Sequence, residues 1–370
     1  MIFMVKQKDK KVSVCIIGPD SIHTKRWSNW FQNSKDYNVT TLLYPTYKNP
    51  FQYIFAMKKL LYNYLKIRKK QDITHIHYIG TFAYLLAPFV KKNLVLSAWG
   101  SDVLVAPKES KLRKYLFEKT VKKATFVSAV DKSIVLQFKE LGCSAGKIVP
   151  LRMASVDTKR FQFSKRSETL RKIIGVKKGF LVLSARWLEP DYNVDVFIKT
   201  IPYVLKKLKN IKFVIIGSGS LETKLKNLAK ELKVEKNILF TGGVCHKDIS
   251  KYLASADLYV DPFVGSSSYD KKLLDENSGI GTTTLEAMSC SVPALLANKY
   301  RIKDHPYLTY YPLDPGDLAD QIIKLLKNKK LKAQMKKKSR DFVVRVAGEE
   351  AVMKKWCVFY DNLVNKKSRK

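Results

Sequence analysis

Acidic residues are scarce in this chain: 32 Asp plus Glu face 69 Lys plus Arg across 370 residues, a formal net charge of +37. An excess of that size creates a positive potential of several kT over much of the surface and points to an anionic partner. The first 150 residues carry 26 basic against 9 acidic side chains and the remainder is basic as well, so no separable tail explains the charge. Cysteine is sparse too. Cys15, Cys143, Cys245, Cys290 and Cys357 are odd in number and form no C-x-x-C pair, which argues against a zinc clip or dithiol shuttle and fits a reduced, cytosolic setting. No D-x-D occurs, so the two-carboxylate clamp that would hold a divalent metal is missing. No G-x-x-x-x-G-K-S/T loop occurs either, and Gly217-Ser218-Gly219-Ser220-Leu221-Glu222 lacks the third glycine of the dinucleotide fingerprint. These absences argue against P-loop nucleotidases and dinucleotide oxidoreductases. Long apolar runs are also lacking. Residues 73–90 carry no formal charge, but His75, His77, Gly80 and Pro88 interrupt them, so no transmembrane helix is expected. The first eleven residues put apolar side chains before the lysines, the reverse of a signal peptide.

What is present is ample for packed interiors: 46% of the chain is hydrophobic and 11% aromatic, which excludes extended disorder and collagen-like fibres. The length suits two domains of about 150 to 200 residues each. Short β-branched runs at residues 12–17, 73–77, 94–98, 126–130 and 148–151 alternate with helical stretches such as 51–70 and 111–123. The pattern restarts with strands at 180–184, 213–216, 238–241, 258–260 and 294–296, and helices at 194–209, 221–232 and 282–289. Alternation of this kind predicts an α/β fold with two doubly wound, Rossmann-like parallel sheets. Residues 152–175 are polar, basic and aperiodic and mark the join. The expected domains are 1–165, 166–345, and a C-terminal helix with basic tail, 346–370, packing back across the junction.

In open parallel sheets ligands bind at the carboxyl ends of strands, so glycine turns there carry the most information. Three stand out: Gly18 after the first strand, Gly217 to Ser220, and Ser278-Gly279-Ile280-Gly281 opening the helix that contains Glu286. Glycines let backbone N–H groups approach an anion, and a helix start adds about half a positive charge. Each turn alone also fits ordinary turn chemistry; their shared placement is the signal. His75 and His77 sit two apart on a strand and face one side. They read either as a metal pair without a third ligand or as buried hydrogen-bonded histidines, the second being favoured. Residues 51–70 interleave Phe51, Ile54, Phe55, Leu61 and Leu65 with six cations. That helix suits an anionic leaflet, and equally a core-facing amphipathic role.

The stretch FVIIGSGSLETKLKNLAKELKVEKNILFTGGVCHKDISKYLASADLYVDPF, followed by SGIGTTTLEAMSCSVPALLA, resembles the C-terminal domain of the family-four, GT-B-fold, retaining glycosyltransferases. Upstream, HIHYIG, AWGSDVL and VPLRMASVDTKRF are similar to the N-terminal domain of that family. The resemblance runs from Val12 to about Val364 and implies a GT-B fold, with two Rossmann-like domains facing across a cleft. It implies a nucleotide-sugar donor on the second domain and an acceptor on the first.

The family signature pairs two glutamates around the third glycine turn. Glu286 matches the second, which implies hydrogen bonds to the ribose hydroxyls. Ser278 stands where the first, sugar-contacting glutamate would be. Arg186 matches the family's diphosphate-binding arginine, whose forked guanidinium suits phosphate oxygens. The companion lysine is absent, and Tyr192 falls near its place. Leaving-group stabilisation is then expected from Arg186 and the amides of Gly279, Ile280, Gly281, Thr282 and Thr283, with Gly18 and Gly217 also facing the donor. The departing phosphate is implied to help take the acceptor proton, so no pair of hydrolase carboxylates is needed.

Asp102, in Trp99-Gly100-Ser101-Asp102, is expected to point into the cleft and orient an acceptor or donor hydroxyl, a helix N-cap being the alternative. Trp99 replaces a histidine common in the family. His23, Lys25 and Arg26 are candidates for acceptor phosphate, or else form a solvated basic loop. The expected enzyme is a metal-independent hexosyltransferase without a cofactor, using a UDP- or GDP-sugar and a glycan or lipid-linked glycan acceptor. It is expected to be cytoplasmic and peripheral on the inner face of an anionic membrane. Two other readings remain: a catalytically silent GT-B scaffold, and a basic nucleic-acid-binding protein, for which no recognition motif is visible.

Overall fold

A computed structural model describes residues 11–45, 49–130, 132–176, 178–264, 280–297, 308–310 and 314–365. In chain order the first half contains β1 (Val12–Pro19), α1 (Ile22–Gln32), β2 (Tyr37–Tyr44), α2 (Pro50–Ile67), β3 (Ile73–His77), α3 (Thr81–Leu86), β4 (Asn93–Ser97), α4 (Ser101–Leu104), α5 (Lys111–Lys123), β5 (Phe126–Ser128), α6 (Lys132–Glu140) and β6 (Ile148–Val149). The second contains α7 (Glu168–Ile173), β7 (Phe180–Ala185), α8 (Val194–Lys207), β8 (Ile211–Ile216), α9 (Glu222–Glu231), β9 (Ile238–Gly242), α10 (His246–Ser255) and β10 (Leu258–Asp261). After these come α11 (Thr282–Ser289), β11 (Ala294–Ala297), β12 (Leu308–Tyr310), α12 (Pro315–Lys327), α13 (Lys329–Phe342) and α14 (Glu349–Asn365).

These elements form two compact units, one of residues 1–154 together with 352–370 and one of residues 155–351. The first boundary therefore falls before the expected residue 165, because Val156 and Phe161 pack into the core of the second unit. Arg340 reinforces this, donating to the carbonyls of Thr158 and Phe161. From Val352 the last helix is part of the first unit, not a separate segment.

In unit 1 a six-stranded parallel sheet runs β2-β1-β3-β4-β5-β6. Cys15 and Ile17 point to one face, where α2, α3, α5 and α6 supply Leu60, Tyr64, Phe82, Phe117, Ile134 and Phe138. Val12, Val14 and Ile16 point to the other, which the crossovers leave to α1 alone. There α14 fills the vacancy: Trp356 and Tyr360 pack beside Trp27 and Phe31. Strand β2 carries no β-branched core run because it lies at the sheet edge and most of its side chains are only half-buried.

Unit 2 repeats the plan with a second six-stranded parallel sheet, β12-β11-β10-β7-β8-β9. Leu181, Leu183 and Ala185 face a core shared with α10 and α11, while Val182 faces one built by α8, α9 and α12. Strands β7, β8, β10 and β11 are buried on both faces and so read as continuous apolar runs. Helix starts follow local capping rules. The Ser21, Ser110, Ser167 and Asn328 side chains each accept an N–H from the first turn of the helix that follows.

Candidate functional site

Strand order reverses once in unit 2, between β7 and β10, and such a switch point opens a crevice beyond the strand ends. Arg186 follows β7 directly, and Asp261 ends β10. The guanidinium Nε donates to Asp261 Oδ1 at 2.8 Å, and one Nη to Oδ2. Thr284 of α11 donates its hydroxyl to Asp261 Oδ2 at 2.6 Å, and Tyr310 donates to the Asp261 carbonyl at 3.2 Å. Burial alone would lower the Arg186 pKa, but the adjacent carboxylate more than offsets this and raises it. The Phe263 ring lies 5.6 Å beneath the guanidinium carbon. Arg186 thus sits at the carboxyl end of β7 with part of its donor fork already engaged. Only Nη1 makes no hydrogen bond among the described residues.

Helix α11 starts against this pair. Gly281 is its N-cap and contributes no side-chain bond, so the first N–H groups of the helix have no internal partner. A Cβ on Gly281 would lie 2.4 Å from an Arg186 nitrogen, so glycine is required here by the guanidinium. Ile280 is buried, whereas Thr282 and Thr283 are partly exposed at the helix start. Ser278 and Gly279 lie outside the described residues. Glu286 is 4% exposed, one turn further along, with His246 Nε2 at 3.5 Å from Oε1. His246 opens α10, its carbonyl accepts from Arg160, and its Nδ1 is buried without a partner.

Gly217 has φ +144°, and a Cβ there would lie 1.9 Å from the Arg186 carbonyl oxygen. Its glycine character is explained by the neighbouring loop. The backbone of Gly217-Ser218-Gly219-Ser220 is tied to that loop, because Leu188 N–H donates to Ser218 and Ser220 N–H to Glu189 Oε1 at 2.9 Å. The Ser220 hydroxyl bond, followed by its N–H bond, holds the exposed Glu189 carboxyl below its usual range. The Tyr192 ring packs 5.2 Å from Phe263, the same ring that lies against the Arg186 guanidinium.

In unit 1 the expectations fare differently. Asp102 does not face open space: it is fully buried, and its carboxylate accepts N–H groups from Ile79 at 2.8 Å and from Trp99 and Gly100 at 2.9 Å. Burial raises its pKa, with these backbone donors opposing the shift. It braces the turn between β4 and α4 and ties that turn to Ile79 after β3. His23, Lys25 and Arg26 are not in a loop but in the first two turns of α1; Lys25 is paired with Asp20, and the His23 ring stands edge-on 5.8 Å from Trp99. Gly18 is closed in by Thr24 and His77, whose atoms a Cβ would approach to about 3 Å. His75 is held by Tyr360 Oη and Ser97 Oγ, each at 2.6 Å, whereas neither nitrogen of His77 finds a partner. Burial lowers both pKa values, that of His77 to about 3. Among the described residues no three His, Cys, Asp or Glu side chains gather as metal ligands.

Residues 166–342 match the model of the glycosyl transferases group 1, and residues 13–131 match that of the glycosyl transferase 4-like family. Between them the two models span most of the chain, which is a glycosyltransferase of the group 1, glycosyl transferase 4-like type. Among curated proteins it is 26% identical, over 82% of its own length and 78% of the other's, to N-acetyl-alpha-D-glucosaminyl L-malate synthase of Bacillus anthracis. It is 29% identical, over 38% of its length and 36% of the other's, to a GDP-mannose-dependent monoacylated alpha-(1-6)-phosphatidylinositol monomannoside mannosyltransferase of Corynebacterium glutamicum. Among solved structures it matches Anabaena HepE in complex with UDP, with a TM-score of 0.74 at 13% identity, covering 95% of this chain and all of that one. The fold is GT-B, and the group 1 transferase is a glycosyltransferase of glycan, glycolipid or polysaccharide synthesis. Among its described residues no helix is long and apolar enough to cross a membrane. Sequence reasoning missed Asp261, Thr284 and His246. For Asp261 the signal was an acid ending the apolar run Leu258 to Val260, beside the switch point.

Proposed function

We propose that this group 1 transferase moves a hexose-type sugar from a UDP- or GDP-sugar to a glycan or lipid-linked glycan acceptor. Configuration at the anomeric carbon is retained, no metal takes part, and the enzyme works on the cytoplasmic face of an anionic membrane. The observation that carries this reading is the meeting of Arg186, the start of α11 and Glu286 at one switch point of unit 2. Glu286 would accept two ribose hydroxyls, displacing the His246 contact. The N–H groups of Gly281, Thr282 and Thr283, unpartnered among the described residues, would meet the diphosphate, joined by Arg186 Nη1. As the sugar–oxygen bond breaks, positive charge grows on the sugar and negative charge on the phosphate. A preorganised donor at that oxygen contributes about 3 kcal/mol to the transition state. The UDP in the Anabaena structure and the phosphatidylinositol-based acceptor named for the Corynebacterium enzyme support the donor class and a lipid-linked acceptor.

A second reading, a silent GT-B scaffold, is favoured by Asp261 neutralising Arg186 and by Tyr192 in place of a cation. Titration calorimetry with UDP and GDP distinguishes the two. The enzyme binds one of them, with at least a tenfold loss in Glu286→Ala, and releases nucleotide from a donor sugar when given membrane extract. Absence of nucleotide binding in the intact protein would overturn the proposal.

A further inference from the structure

Helix α2 buries Leu60 and Tyr64 in the core of unit 1, so its role in folding is met by that face. The opposite face is the unusual one. Its first two turns expose Phe51 (84%), Ile54 (51%) and Phe55 (70%), and the next two expose Tyr62 (59%) together with Lys58, Lys59 and Lys66. Lys66 Nζ stands 4.2 Å over the Tyr62 ring, and Lys69 and Lys70 follow, also exposed. No acidic residue occurs between Asp36 and Asp72. On the same side of the sheet, α5 exposes Leu112 and Tyr115 beside Lys111, Arg113 and Lys114.

We propose that the outer face of α2 is the surface by which this protein docks on an anionic lipid bilayer, with Phe51, Ile54 and Phe55 entering the acyl boundary and Lys58, Lys59 and Lys66 resting among the headgroup phosphates. The order along the helix sets the tilt: apolar at the amino end, cationic after it. Contiguous exposed aromatic and aliphatic side chains bind where water can be shed, and unopposed lysines select a negative surface. A second copy of the chain is the poorer occupant, because it would bring an equally acid-free surface against this one. Nucleic acid would use the lysines but leave Phe51 and Ile54 without a role.

This inference rests on the membrane-facing part of the proposed function and not on the transfer chemistry, so it fails or holds separately. The full chain is sedimented with vesicles of phosphatidylglycerol and phosphatidylcholine, and with phosphatidylcholine alone. Binding to the anionic vesicles is expected to exceed that to neutral ones by more than tenfold and to weaken with salt. Phe51→Ser/Phe55→Ser should lose about tenfold or more, and Lys58→Gln/Lys59→Gln about fivefold per lysine. Circular dichroism and the UDP or GDP isotherm should stay unchanged in both variants, which separates docking from folding and from the nucleotide site. Equal vesicle binding by intact protein and the Phe51→Ser/Phe55→Ser variant would overturn the proposal. So would equal binding to neutral vesicles, or a dimer in light scattering that this variant abolishes.

Discussion

The two units share a parallel-sheet plan but fill their switch points with opposite chemistry. In unit 1 the crevice between β1 and β3 is closed by neutral groups: Gly18 is pressed by Thr24 and His77, and His77 lies edge-on to Trp27 at 4.8 Å. In unit 2 the crevice between β7 and β10 holds an ion pair beside an uncapped helix start. The same topology therefore yields one interior that must stay uncharged and one built around charge. The second is the one to which the proposed function assigns a diphosphate.

The largest effect expected to break the contrast is acid. The folded chain holds His77 near 3, well below its ordinary value of 6.5, because burial disfavours the cation, and His75 is lowered in the same way. Between those pH values the unfolded chain binds more protons, so the stability of unit 1 is whole above about pH 6.5 and drains as pH falls toward 3. His77 alone accounts for on the order of 5 kcal/mol. Trp27, Trp30, Trp99 and Trp356 all lie in unit 1 and Trp187 in unit 2 is 62% exposed, so tryptophan emission reports unit 1. His77→Phe should flatten this acid transition.

A smaller effect is expected in unit 2. Asp261→Ala leaves the Arg186 cation buried without its partner and should cost about 3 to 5 kcal/mol. Thermal melts should show a lowered transition for unit 2 while the tryptophan signal of unit 1 keeps its midpoint. The smallest effect serves as a control. Asp195→Ala removes an exposed helical pair with Lys199 and should change stability by about 0.5 kcal/mol or less, as should Lys25→Met in unit 1. A surface pair reveals no difference between the units, because water screens both alike.

The architecture was legible wherever burial writes a continuous pattern. Residues 12–17, 73–77, 180–184 and 213–216 announce central strands because both faces of each are covered. The edge strand β2 and the amino end of α1 are not announced, since half-exposed positions tolerate polar residues. At the candidate site the family motif led to Arg186 and Glu286, and both lie at the switch point. Asp102 was placed in the cleft because a carboxylate near a strand end looks alike whether it meets substrate or accepts two N–H groups of its own turn and a third from Ile79 after β3. The glycines carry a meaning that spacing did not show. Gly217 and Gly281 are indeed sites of close approach, but what approaches is the carbonyl and the guanidinium of Arg186. Spacing along a chain does not say which atom occupies the gap.

The placement of α14 bears on how the molecule is made. The helix that covers Trp27 and bonds His75 is synthesised only after residues 155–351 have been. Until then the nascent first sheet exposes an oily, tryptophan-lined flank to the cytoplasm or to a chaperone. Completion of the first sheet thus waits on a helix encoded some two hundred residues downstream of it.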